Sequence, residues 1–179
     1  GEVVAAAIRT IPEGRYVGMT KMDGYDEDLQ ISCAITVDHT GPSVHFDLSG
    51  SSSQTNGSFN CYSNYIRAEL LFSFLTLLKL NVDVNVGAFK FFDFTFPERS
   101  IINAQFPAAV GARSLVVQYI VSAVYDAMGS RLPESVPADP AAPIWPILIS
   151  GQTYSGSTFV DLLFLNGGMG ARPNGDGIL

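Results

Sequence analysis

The sequence is poor in charge, in cysteine and histidine, and in long apolar runs. Only 15% of its 179 residues are charged, against about 25% in an ordinary soluble domain. Basic residues are scarcest: 10 Lys and Arg face 17 Asp and Glu, for a net charge of −7. That sign repels phosphate backbones and excludes sequence-independent nucleic-acid binding. The two cysteines, Cys33 and Cys61, are too few and too far apart for a zinc motif. His39 and His45 are the only histidines and have no His-x-x-x-His spacing, so no metal site is expected in this segment. The most apolar window, Leu70 to Leu78, falls well short of the ~20 residues of a membrane span. No charged leader with an apolar stretch opens the sequence, and a cytoplasmic location with reduced thiols is expected.

What is present points to a folded domain. Apolar residues make up 47% and mean hydropathy is +0.23, which excludes disorder. At ~150 residues per domain, the length predicts one domain over 1–179. The absence of an opening methionine adds the expectation that it is an internal fragment of a larger subunit. Pro12-Glu13-Gly14 signals a turn before a strand over 15–22, and the acidic stretch 23–28 reads as a solvated loop. Leu29, Ile31, Cys33, Ile35 and Val37 alternate as one buried face, with Cys33 as a small hydrophobe. His39-Thr40-Gly41-Pro42 turns the chain; Val44, Phe46 and Leu48 then face the core, with His45, Asp47 and Ser49 opposite.

The polar stretch 49–64 separates a strand from a helix and reads as an ordered loop, after which Cys61 is open to exposure. A helix is predicted at about 63–80, buried on all sides in its second half. Val82, Val84 and Val86 suggest a short strand, and Phe89 to Phe96 a strand covered on both faces. A second helix is predicted at about 114–129, with Ser114 as N-cap and Gly129 as its stop. Prolines 133, 137, 140 and 143 predict an extended run over 131–143. Strands over 144–150 and 158–165 close the chain. The order defines an α+β class, with a mixed or antiparallel sheet packed against the two main helices.

Chemistry-bearing residues gather in a few places. His45 and Asp47 share a strand face, where they can approach one ion or stand as a surface polar pair. With the serines of 49–53 they supply triad residue types, but no Gly-x-Ser-x-Gly elbow accompanies them. The run 166–177 holds Gly167, Gly168 and Gly170 around Arg172. Glycines let backbone N–H groups approach an anion, and a guanidinium supplies a fork for phosphate or carboxylate. The alternative is a string of tight turns. Phe106 to Ser114 leads small residues into a helix start at Arg113, another anion candidate, or simply a capped, tightly packed helix.

Taken in order, these stretches carry a resemblance. Ile11-Pro12-Glu13-Gly14-Arg15-Tyr16, Phe46-Asp47-Leu48-Ser49-Gly50-Ser51-Ser52-Ser53-Gln54 and Gly57-Ser58-Phe59-Asn60 come first. Asn85-Val86-Gly87, Phe106 through Arg113, and Gly167-Gly168-Met169-Gly170-Ala171-Arg172 follow. The sequence resembles the hydantoinase B/5-oxoprolinase family, which includes the alpha-type subunit of acetone carboxylase. The resemblance implies a catalytic subunit several hundred residues long, paired with or fused to an ATP-binding hydantoinase A-type partner of actin-like fold. Such enzymes open cyclic amides such as hydantoins and 5-oxoproline, or carboxylate ketones, through phosphorylated intermediates. ATP and a divalent metal are expected in the whole enzyme, the metal-associated segment lying N-terminal to this region, and neither is expected to be bound by this segment. Val86 stands where the family commonly has an acidic residue, and Phe91 where it has proline, which marks a divergent member. The expected substrate- or phosphate-binding residues are Gly167, Gly168, Gly170 and Arg172, then Arg113, Asn60 and Gln54. The expected partners are the ATP-binding subunit, the remainder of its own subunit and a small cyclic amide or ketone, with neither nucleic acid nor membrane. The rival reading is a non-catalytic assembly module.

Overall fold

The alternation of residues 29–37 becomes the central strand of the fold. The computed structural model describes residues 1–80, 85–139 and 144–178. They gather into two compact units, Gly1–Val136 and Pro137–Leu179. Length alone suggests one domain; the boundary falls in the proline-rich stretch, where backbone donors are missing.

In the first unit, β1 (Gly14–Met22), β2 (Leu29–Asp38) and β3 (Ser43–Asp47) pair antiparallel in that order. β4 (Phe92–Thr95) lies parallel to β3, with Phe46 opposite Phe94, so the sheet is mixed. A parallel neighbour requires a crossover, and α2 (Ser63–Leu77) with the one-turn α3 (Val86–Phe89) lies along it. α4 (Arg113–Gly129) packs on β1, β2 and α2. The α+β class and both main helices thus stand as expected.

The core lies between sheet and helices. Leu29, Ile31, Cys33, Ile35 and Val37 of β2 are buried, as are Val44, Phe46 and Leu48. Phe46 meets the edge of Phe74 from α2 at 5.6 Å and stacks on Phe94 at 5.5 Å. α4 contributes Val116, Val117, Ile120, Ala123, Val124, Ala127 and Met128. It approaches β1 closely because residue 18 is glycine. A Cβ there would lie 2.2 Å from the Ala123 carbonyl oxygen and 2.3 Å from the Ala127 nitrogen.

Several local expectations are corrected. An opening helix, α1 (Glu2–Ile8), buries Val4 and Ile8; its three alanines are strong helix formers. α2 stops at Leu77 rather than 80, and Lys79 takes φ 55. Val82 and Val84 lie outside the described residues. Val86 opens a helix instead of extending a strand, because the Asn85 side chain accepts from the N–H groups of Gly87 and Ala88. The phenylalanine-rich strand is therefore confined to Phe92–Thr95, with Asp93 and Thr95 exposed on one face. α4 is capped at Ala112 without a side-chain bond, so Ser114 sits inside its first turn. Residues 131–136 turn rather than extend: the Leu132 and Val136 amides donate to Met128 and Leu132 carbonyls, and both side chains pack on the core. Residues 140–143 of that run lie outside the described residues. Cys61 is fully buried.

In the second unit, β5 (Ile144–Gln152) and β6 (Thr158–Asn166) form an antiparallel ribbon. Its turn is closed by the Thr153 amide on the Ser157 carbonyl at 2.8 Å, with Gly156 at φ +82. No helix among the described residues is long and apolar enough to cross a membrane.

Candidate functional site

The polar loop after β3 is ordered because its side chains replace hydrogen bonds that a strand would make. Where β3 ends, residues 50–52 continue beside β2. The Gln30 and Ser32 amides donate to the hydroxyls of Ser52 (2.8 Å) and Ser51 (3.1 Å), and the Ser52 amide donates back to the Gln30 carbonyl (2.9 Å). The other side of the loop is pinned by the Gln54 amide on the Arg99 carbonyl (2.7 Å) and the Ile101 amide on the Ser52 carbonyl (3.1 Å).

Asn60 organises the next turn from inside. It is fully buried. Its Oδ1 accepts from the Thr55 amide at 2.9 Å; its Nδ2 donates to the carbonyls of Thr55 (3.1 Å), Gly57 (2.8 Å) and Ala109 (2.9 Å). Gln54 Oε1 accepts from the Gln105 amide at 2.8 Å, and the Ala112 amide donates to Ser58. Segments 54–60 and 105–113 are therefore held side by side. Arg113 stands exposed at the start of α4, its Nη1 donating to the Val110 carbonyl at 3.3 Å.

Between this loop and residues 25–29 opens a cleft of about 210 Å³. Tyr25, Leu29 and Phe59 supply apolar wall, Ser53, Gln54, Thr55 and Asn56 supply hydroxyls and carboxamides, and Asp26 and Glu27 add carboxylates. The Tyr25 ring lies over Gly57, where a Cβ would come within 2.6 Å of it, and meets Phe59 at 4.9 Å between centroids. This volume is below the ~300–1,000 Å³ of drug-sized ligand sites. Carboxamides and hydroxyls both donate and accept, matching a molecule that carries adjacent N–H and C=O groups. The two carboxylates oppose an anion. The acidic stretch 23–28 is the solvated loop expected, and its Tyr25, Asp26 and Glu27 also line the cleft; the aromatic residue within the stretch was the available signal.

The other sequence candidates take structural partners. His45 Nε2 pairs with Thr95 Oγ1 at 2.8 Å. Asp47 accepts the Ser49 hydroxyl at 2.6 Å and its amide at 3.0 Å, and these bonds, the hydroxyl first, hold its carboxyl below the usual range. His45 thus pairs with Thr95 and Ser49 with Asp47, so these residues do not form a Ser-His-Asp relay. Among the described residues no group of three His, Cys, Asp or Glu can hold a metal ion. The cleft lining, with two carboxylates and no cation, does not suit a phosphate group. Burial pushes the Cys33 thiol up to about 12 and the Cys61 thiol to about 11, so neither is a nucleophile at neutral pH.

Gly167, Gly168, Gly170 and Arg172 lie in the second unit. A Cβ on Gly170 would fall 1.7 Å from the Ala138 carbonyl oxygen, so this glycine permits two backbones to cross. Arg172 is exposed and opens a tight turn, its amide donating to Gly175 at 2.8 Å while Gly175 donates back at 3.1 Å.

A mixed sheet packed against two helices, with a polar cleft beside the 49–60 loop, frames the first unit. Over residues 1–179 the sequence matches the model of the hydantoinase B/oxoprolinase family, and the chain belongs to that family. It is 26% identical to the acetophenone carboxylase delta subunit of Aromatoleum aromaticum, over 93% of this chain and 26% of that one. It is 24% identical to a 5-oxoprolinase of Dictyostelium discoideum, over 87% of this chain and 12% of that one. The fold superposes on an ATP-dependent caprolactamase from Pseudomonas jessenii with a TM-score of 0.80 at 20% identity, over 98% of this chain and 31% of that one. An acetone carboxylase in its nucleotide-free structure gives 0.76 at 17% identity, over 97% and 26%. The chain thus spans about a quarter or less of the curated relatives.

Proposed function

We propose that this chain is part of an ATP-dependent enzyme that hydrolyses a cyclic amide of the hydantoin or 5-oxoproline kind, and that the 53–59 cleft binds the ring. The observation that carries the reading is the cleft itself. Gln54, Gly57, Phe59 and Asn60, from the stretches that resemble the family, line or shape it, and its lining matches a neutral amide rather than an anion. Gln54 Oε1 is occupied by the Gln105 amide, leaving Nε2 to donate to a ring carbonyl, while Ser53 and Thr55 oxygens accept ring N–H groups. Tyr25 and Phe59 supply apolar wall for the ring to pack against. ATP and a divalent metal act elsewhere in the whole enzyme, with an ATP-binding hydantoinase A-type partner. Gly167, Gly168, Gly170 and Arg172 in the second unit, and separately Arg113 at the start of α4 in the first, stay candidates for binding a phosphorylated intermediate, since the cleft carries the wrong charge for one.

The test is Gln54→Glu in the full-length subunit assayed with its ATPase partner. The substitution keeps an acceptor for Gln105 and removes the donor. One hydrogen bond of ~0.5–1.5 kcal/mol predicts a KM raised up to about tenfold, with kcat largely kept. An unchanged KM for every cyclic amide turned over would refute the assignment. The delta-subunit likeness over 93% of the chain supports a second reading, ketone carboxylation; ATP-dependent uptake of labelled bicarbonate into a ketone, with no ring opening, would select it.

A further inference from the structure

The ribbon β5–β6 is apolar on both faces. Residues opposite one another in an antiparallel pair share a face, and the register places Ile147 with Leu163 and Gly151 with Phe159 on one side. On the other side it places Leu148 with Leu162 and Pro146 with Phe164. Every residue of β6 is exposed, and Leu148, Val160 and Phe164 are 68%, 66% and 56% open. Asp161 is the one charged residue in the two strands. A ribbon that faces water on one side alternates apolar and polar residues; strands that read apolar on both faces belong inside a covered sheet. An isolated two-stranded ribbon is also marginal in water, and long apolar edges without charge or bulge invite pairing.

We infer that β5 and β6 are interior strands of a larger sheet, completed and covered on both faces by residues of the same subunit outside 1–179. The inference rests on the proposed reading of the chain as part of a longer enzyme. Relatives supply the necessary length: the chain spans 31% of the caprolactamase chain and 26% of the carboxylase delta subunit. A second copy docking about a two-fold axis buries one patch on each partner, which leaves the opposite face of the ribbon wet. Enclosing both faces and both edges calls for several neighbouring segments, which a continuous polypeptide provides at no cost in association entropy.

The experiment uses the full-length subunit with single cysteines at Leu163 on one face, Leu162 on the other and Tyr154 in the exposed turn. Cys33 and Cys61 are buried with raised pKa values and stay silent. Leu162→Cys and Leu163→Cys are expected to react with a maleimide about tenfold or more slowly than Tyr154→Cys, at any protein concentration. Labelling of both at the Tyr154→Cys rate overturns the inference. Protection of one face only, or protection lost on dilution, assigns the ribbon to a second copy and overturns it equally. Hydrogen exchange of amides 158–166 in the unmodified subunit repeats the test without substitution; unprotected amides overturn it. Labelling is read without turnover, so its failure leaves the cyclic-amide reading standing, and absent turnover leaves the labelling result standing.

Discussion

Replacing Asn60 should open the cleft loop. The Asn60 carboxamide holds one amide and three carbonyls from residues 55, 57 and 109. Asn60→Ala removes all four contacts from a fully buried position. A buried polar group left unsatisfied costs ~1–3 kcal/mol, and water entering the half-buried turn relieves some of the four. A local loss of about 3 kcal/mol is expected, which accelerates hydrogen exchange over 54–61 by more than about 100-fold. Asn60→Asp is nearly isosteric and discriminates further. It keeps the acceptor but points a carboxylate oxygen at the three carbonyls, so its folded pKa rises above the unfolded ~3.9. The folded state then holds its proton longer than the unfolded state, and the penalty grows as pH rises through that value. Asn60→Asp should therefore approach the parent protein near pH 4 and fall below Asn60→Ala at pH 7. Exchange over 54–61 unchanged in both variants would refute the reasoning.

Three further outcomes follow from packing and burial. Gly18→Ala drives a methyl into the backbone of α4, 2.2 Å from the Ala123 oxygen, and should cost ~1–3 kcal/mol as overpacking; an unshifted thermal midpoint would contradict the close seam. Both thiols should resist a disulfide reagent at pH 8 until unfolding. Because folding raises their pKa values to about 12 and about 11, stability should decline as pH climbs above the ordinary thiol range of ~8.5, where the unfolded chain alone loses protons; rapid labelling of the native protein would oppose it.

The sequence by itself determined the β2 face, the Val44-Phe46-Leu48 face, the two long helices and the β5–β6 ribbon. Each is a local periodicity read against one apolar surface, and periodicity survives without knowing the neighbour. It also placed Gln54 and Asn60 in the loop that shapes the cleft. Only the tertiary structure decided what those residues do. Asn60 is saturated by groups up to 49 residues away, so it shapes the cleft without lining it. Tyr25 becomes a wall because Gly57, far along the chain, leaves room for its ring. The strand expected at Phe89 fails because one side chain, Asn85, caps a helix turn there. Contacts between distant segments have no period, and a single hydrogen bond can overrule a local preference worth a few tenths of a kcal/mol.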